Sequence, residues 1–300
     1  MSSTQQNQYT SVIVIGAGGN CGLEIAKAIL EHYPQVKLTL HVRNEEKVAS
    51  LKEKGANVIV GDILSTSEEE LVNALSGKEV VITALAANPE LLLQGQLKLI
   101  EASKKAGVKK YLPTTYGLNL NLFKPEESML NDAKFKITET IKQSGLEWTQ
   151  VNVGIFAHMA SFLLFNKFDT ETKTVHYNGD LSEKVDVSFL EDIGKFVAKA
   201  AIRKDIVGDI NVASDTLTVK EIAHFIHGEN IEFKQDQTAA DWIKSIQERI
   251  AEKLNSPSEL FPILLEQLRW TIISGRRVES SNSNLFQDIK PRLFKTINQQ

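Results

Sequence analysis

The stretch SVIVIGAGGNCGLEIAKAIL, residues 11–30, decides the fold. It opens on an apolar, β-branched run, passes through a cluster of glycines, and continues with Leu23, Ile25, Ala26, Ile29 and Leu30 at helical spacing. Gly16, Gly19 and Gly22 stand three apart, with Gly18 added between them. Each glycine of such a set has a task. The first permits a sharp strand-to-helix turn, the middle one lets backbone approach a pyrophosphate, and the last lets the helix pack on the strand. Asn20 and Cys21 complete the loop, at a helix start whose free N–H groups and partial positive charge favour an anion. A strand before it and a helix after it are the context that turns a weak motif into a phosphate clamp.

Outward from this unit the first half of the chain alternates. VKLTLHV, NVIVGDI, EVVITALA, VKKYLPTTYG and EWTQVNVGIF read as strands, and the segments between them read as helices. Such alternation implies right-handed crossovers and a parallel sheet covered on both faces. The predicted class is α/β, a Rossmann-type doubly wound parallel sheet. After Phe156 the pattern loosens: HMASFLLFNKF, AADWIKSIQERIAEKL and SPSELFPILLEQLRWTIISG read as amphipathic helices among short strands. The expected division is a nucleotide-binding domain over 10–156 and a smaller, mostly helical substrate-binding part over 157–300, some of whose strands return to the first domain.

Composition narrows the function. The 300 residues are 42% hydrophobic, enough for a full core, and carry a net charge of −4. That charge offers no surplus of cations for nucleic acid. The single cysteine, Cys21, forms no internal disulfide, which points to a reducing compartment. No run approaches the roughly 20 apolar residues of a membrane span, and the N-terminus carries no signal-peptide pattern. A cytoplasmic protein is expected, a monomer or a homodimer, with no membrane and no nucleic-acid partner. No His/Cys/Asp cluster has metal-ligand spacing, and no metal is expected.

The end of the second strand selects the nucleotide. NAD binders place a carboxylate there for the ribose 2′-hydroxyl, but LHVRNEEK has Arg43, followed one turn later by Lys47. Cations suit a 2′-phosphate, so NADP(H) is the expected cofactor. Asp62, after the third strand, either accepts a bond from the adenine amino group or caps the helix starting near Ser65. Ala84, Ala86 and Asn88, after the fourth strand, either line the nicotinamide side or cap the next helix. Thr114, Thr115 and Tyr116 end the fifth strand, at the sheet edge where doubly wound folds bind ligands. Cys21 reads as a packed small residue rather than a reactive thiol.

GAGGNCG, LHVR, KAGVKKYLPTTYG, KFKITETIKQSGLEWTQVNVGIF and VDVSFLEDIGKFVA together resemble NmrA-like and isoflavone-reductase-like proteins, atypical members of the short-chain dehydrogenase/reductase superfamily. The resemblance covers about the first 200 residues and weakens in the last third. It implies an NADPH-binding Rossmann domain and a smaller domain closing over a cleft. It also implies a catalytic lysine on the helix before GLEWT, beside the nicotinamide. Matching back from Gly145 and Thr149 puts Lys136 there, with Lys134 as near neighbour on another face of the helix. Phe156 falls at the family's nicotinamide-flanking position, where it stacks on the ring, covers the substrate or is plain core; His158 reads as a polar wall residue. Two departures stand out. The superfamily's Tyr-x-x-x-Lys pair is absent, and Thr115 occupies the place of the acidic residue common in the family's Pro-Ser-Glu stretch. The implied activity is NADPH-dependent hydride transfer to a small, partly apolar, aromatic or phenolic substrate. The alternative from the same family is a non-catalytic NADP(H)-sensing regulator that binds a partner protein.

Overall fold

A computed structural model describes residues 7–86, 91–125, 127–254 and 256–294. The first six strands are β1 (Ser11–Ile15), β2 (Lys37–Val42), β3 (Asn57–Val60), β4 (Val80–Thr83), β5 (Lys110–Leu112) and β6 (Glu147–Asn152). Seven more strands follow among the described residues: β7 (Ile155–Phe156), β8 (Lys167–Asp169), β9 (Thr174–Asn178), β10 (Lys184–Ser188), β11 (Gly208–Asn211), β12 (Asp215–Thr218) and β13 (Glu232–Gln237). The helices of the first half are α1 (Asn20–His32), α2 (Ala49–Glu53), α3 (Glu68–Leu75), α4 (Gln96–Lys105) and α5 (Met129–Ser144). Those of the second half are α6 (Ala160–Leu164), α7 (Leu190–Ile202), α8 (Val219–His227), α9 (Ala239–Lys253) and α10 (Pro257–Ile272).

The main sheet runs β11-β6-β5-β4-β1-β2-β3, with every pairing parallel. It is the doubly wound α/β sheet that the alternation predicts. Strand β1 shows why. Val12 and Val14 face one core, shared with α1 and α7, while Ile13 and Ile15 face a second core, shared with α3, α4 and α5. A strand apolar on both faces is stable only between two helical layers. The order reverses between β1 and β4, and the crevice at their C-terminal ends is the ligand edge of such folds.

The later chain serves both parts. β11 pairs with β6, and α7 lies against α1; a Cβ on Gly194 of α7 would sit 2.5 Å from the Glu24 carbonyl oxygen. Two three-stranded sheets, β12-β10-β7 and β13-β9-β8, form the second part with α8, α9 and α10 around a third core that includes Trp242 and Ile246. One predicted helix is mostly something else. Of HMASFLLFNKF, only Ala160–Leu164 is α-helical, and Lys167–Asp169 becomes β8, an edge strand paired antiparallel with β9. Phe165 leaves the helix in extended conformation and buries itself in the third core.

Candidate functional site

The glycine loop joins β1 to α1 under close constraint. Gly16 has φ +81, and a Cβ there would lie 2.5 Å from the Ala84 carbonyl oxygen. At Gly22 a Cβ would lie 2.4 Å from the Gly16 carbonyl oxygen. Only glycine fits at either place, so β1, β4 and α1 meet at bare backbone. The His41 carbonyl, at the end of β2, accepts the N–H groups of Gly16 and Ala17 and fixes the loop. Gly19 caps α1 without a side-chain hydrogen bond, and the first turn carries no acidic residue. The N–H groups of Asn20, Cys21 and Gly22 lie in that first turn, where a helix supplies no acceptor. Such an end favours an anion.

A cleft extends from this loop across the tips of β2, β3 and β4. Gly16, Gly18, Gly19, Arg43, Lys47, Asp62, Ala84 and Ala86 line it, all of them expected site residues. Lys47 folds over the loop, its Cδ 3.4 Å from where a Cβ on Gly18 would stand. The Arg43 side chain is 74% exposed, with one guanidinium nitrogen 4.0 Å from the Asp62 carboxylate. It is free to turn toward an anion. Asp62 accepts from the Leu64 N–H and lines the cleft. It does not cap α3, whose cap is Ser67 in a reciprocal pair with Glu70. Asn88 lies outside the described residues.

His41 and Gly61 also line the cleft, and neither was anticipated from sequence. Burial draws the His41 imidazole below its ordinary pKa, against the pull of nearby Asp62, and so favours a neutral ring. Its signal was available only as the residue that pairs with Ile15 at the end of β2.

Cys21 is no activated thiol. Burial, and then Glu24, push it up to about 12, and its side chain packs on the main core. The helix N-terminus does not offset that loss of solvent.

Next to the loop, a buried polar network ties β4, β5 and α4 together. Thr83 donates to the Gln96 amide oxygen at 2.9 Å, which also takes the Thr114 N–H at 2.7 Å. Thr114 Oγ1 donates to Thr83 Oγ1 at 3.0 Å and accepts the Leu85 N–H at 3.0 Å. Tyr116 donates to the Thr83 carbonyl at 2.9 Å, and burial raises its pKa well above the phenol range. Thr114 and Tyr116 therefore brace the cleft wall. Thr115 Oγ1 is buried with no partner among the described residues. Gln96 was missed because it opens a helix, where glutamine ordinarily means solvent.

Lys134 and Lys136 of α5 are separated by the structure. Lys136 is exposed, whereas Lys134 is half-buried and Ile137 fully buried. Two residues turn a helix by about 200°, so the pair cannot share a face. The Lys134 ammonium lies 3.5 Å from where a Cβ on Gly117 would stand, just past the end of β5. Burial draws its pKa down from 10.5 to about 8, with no carboxylate pulling the other way. Of the two, Lys134 is the one turned toward the loop after β5, while Lys136 stands in solvent. Phe156 is partly buried against the main core, its ring 5.9 Å from that of His158, which is exposed.

Among the described residues no group of His, Cys, Asp and Glu side chains is arranged to hold a metal. No helix among them is long and apolar enough to cross a membrane.

A glycine turn at the switch point of an all-parallel sheet, with a cationic cleft beside it, defines a Rossmann-type α/β protein. The chain belongs to the NmrA-like family, which it matches over residues 8–265. Pinoresinol reductase 1 of Arabidopsis thaliana is 26% identical over 275 residues, spanning 83% of this chain and 84% of that protein. Photosystem II assembly factor Ycf39 of Cyanophora paradoxa is 29% identical over 205 residues, 65% of this chain and 60% of that one. Among solved structures, the leucoanthocyanidin reductase–NADPH complex from Vitis vinifera superposes with a TM-score of 0.74 at 20% identity, covering 95% of this chain and 97% of that one.

Proposed function

We propose that the protein is an NADPH-dependent reductase of a small, partly apolar organic substrate, with Lys134 as its catalytic residue. The observation that carries this is the Lys134 ammonium: half-buried, with no carboxylate among the described residues offsetting its burial, and placed against Gly117 in the loop that follows β5. A cation held there costs stability and persists where it has chemistry to perform.

The residues present fit a dinucleotide. Gly16 and Gly22 let β1, β4 and α1 pack closely, Gly18 and Gly19 leave backbone open to a pyrophosphate, Asn20 and Cys21 add first-turn amides, and Arg43 and Lys47 stand where a 2′-phosphate would be read. Bound NADPH would supply the hydride. Lys134 would orient the reacting group and hold a proton at Nζ for the atom that gains negative charge. Ala84 and Ala86 line the cleft beside the loop, and the sheets and helices of the second part would choose the substrate. The similarity to a pinoresinol reductase supports an aromatic or phenolic substrate.

The similarity to an assembly factor supports a second reading, an NADP(H)-sensing protein that binds a partner without turnover. One experiment separates them. NADPH binding is titrated by calorimetry, and its oxidation is followed across a panel of enones and benzylic ethers. Turnover abolished in Lys134→Met and retained in Lys136→Met establishes the reductase; binding without oxidation of any panel member favours the sensor. Arg43→Asp should weaken NADPH binding by about tenfold or more and leave NADH binding nearly unchanged. An equal effect on both would remove Arg43 from the 2′-phosphate site.

A further inference from the structure

Among the described residues that line the glycine cleft, His41 is the one ionisable side chain that is buried, at 4% exposure. Burial outweighs the pull of Asp62 and keeps the ring neutral, and the one hydrogen bond acting on the imidazole comes from its own backbone. A Cβ on Gly61 would stand 3.1 Å from Nε2, so the bare glycine leaves the ring its place in the cleft wall.

Among the described residues, the charged side chains that line the cleft with it are Arg43 and Lys47, after β2, and Asp62, after β3. Asp62 links ring and guanidinium: it acts on His41 and lies 4.0 Å from one Arg43 nitrogen. His41 and Arg43 are two residues apart, so their Cα atoms are no more than about 7 Å from each other. Lys98 of α4 reaches the turn after β3, where its ammonium donates to the Ile63 and Leu64 carbonyls at 3.1 and 3.2 Å. Residues 16–20 of the loop and 84–86 after β4 include no ionisable side chain. A 2′-phosphate seated on Arg43 and Lys47 brings nearly two negative charges into this group, close to the Asp62 carboxylate. The two anions repel. The neutral imidazole beside them is the group able to take up a proton near neutral pH.

We infer that His41 is a specificity residue for the cofactor: a 2′-phosphorylated dinucleotide draws a proton from solvent onto the imidazole as it binds, and the imidazolium joins Arg43 and Lys47 in favouring it over the 2′-hydroxyl form. This rests on NADP(H) as the cofactor and not on turnover. The balance is simple: neutral ring and one solvent proton give imidazolium, with the buffer as the source. A ring neutral in the free protein and charged in the complex has the higher pKa in the complex. Affinity for NADP+ therefore rises as pH falls from the bound value toward the free one. NAD+, which lacks the phosphate, gains nothing from the same change.

The test counts protons. The full chain is titrated with NADP+ and with NAD+ at pH 7 by calorimetry, in buffers of different ionisation enthalpy, and the dependence of the heat on buffer gives the protons exchanged. At that pH the phosphate is itself mostly ionised and releases little. The parent protein should take up about half a proton or more with NADP+ and close to none with NAD+. In His41→Gln the NADP+ uptake should fall to near zero. The preference of that variant for NADP+ over NAD+ should drop about threefold or more at pH 7, and by less at pH 8. Equal uptake in parent and variant, or equal uptake with the two cofactors, overturns the proposal. If His41→Gln fails to fold, the proton count of the parent with NADP+ decides by itself. NADP+ bound with no proton taken up removes His41 and leaves the cofactor reading standing; no binding heat with either cofactor removes both.

Discussion

Lys134 shows what one residue can reveal that sequence alone conceals. Both lysines of AKFKI look alike in a string, and only burial tells them apart. The buried Ile137 fixes the inward face of α5, and Lys134, one turn before it, shares that side. Its pKa of about 8 makes two effects measurable. Activity that needs the ammonium should fall as pH rises through about 8, seen as a single-proton decline in kcat/KM. A flat profile between pH 7 and 9 would remove the proton-holding role. Stability runs the other way. Below about 8 both folded and unfolded chains hold the proton, and the full cost of burying it is present. Between about 8 and 10.5 only the unfolded chain holds it, so stability rises with pH. At pH 7 Lys134→Met should therefore lose activity by about 100-fold or more. It should also gain about 1–3 kcal/mol of stability, after allowance for partial exposure. Chemical denaturation of the two proteins reads that gain, and a destabilised variant would mean that Lys134 is held by contacts rather than merely tolerated.

At the scale of elements, legibility followed burial. The inner strands β1 and β4 were readable because their apolar residues are buried on both faces of the sheet and a helix follows each. The glycine loop was readable because its spacing answers a steric need, and Gly16 and Gly22 meet backbone oxygens where a Cβ would stand. Beyond Phe156 the elements are short, and what FLLF forms depends on which core receives it. That is tertiary information. The contact of α7 with α1 was equally invisible, although Gly194 within a helical run was a clue that something lies close. Gly194→Ala would force α7 away from the Glu24 carbonyl, since the added Cβ would sit 2.5 Å from that oxygen. The expected cost is about 1–3 kcal/mol, an overpacking effect larger than the gain in helix propensity. Because α1 carries the glycine loop at its start, NADPH affinity should fall with it, by severalfold in calorimetry. A stabilised variant with unchanged affinity would show that the two helices can separate freely.

The whole molecule keeps its stability and its candidate chemistry at opposite ends of one sheet. At the N-terminal edge, Lys110 is completely buried, and its ammonium donates to the carbonyls of Ala200, Arg203 and Ile206 at 2.8, 3.0 and 2.5 Å. These belong to the end of α7 and the turn after it, where a helix leaves carbonyls without donors. Glu147, at the start of β6, lies 3.6 Å away and takes the Tyr9 hydroxyl at 3.2 Å. Burial draws Lys110 down to about 8 while Glu147 pulls it back up, so the residue is cationic at neutral pH. Its three acceptors decide the balance. Lys110→Met keeps the apolar stem and takes the donor from the Ala200 and Arg203 carbonyls, while Ile206 keeps the Thr149 hydroxyl at 2.9 Å, a loss of about 3 kcal/mol or more. In a chain of this size that reads as a fall in Tm of roughly 5–10 °C. Thr114, on the cleft side of the same strand, is four residues away, roughly 13 Å along an extended chain. Below the melting range the variant should therefore bind NADPH within about twofold of the parent, because sites this far apart with no shared partner act independently. Should affinity drop in proportion to stability, the clasp at the base and the cleft at the tip form one cooperative unit, and the separation argued from their positions fails.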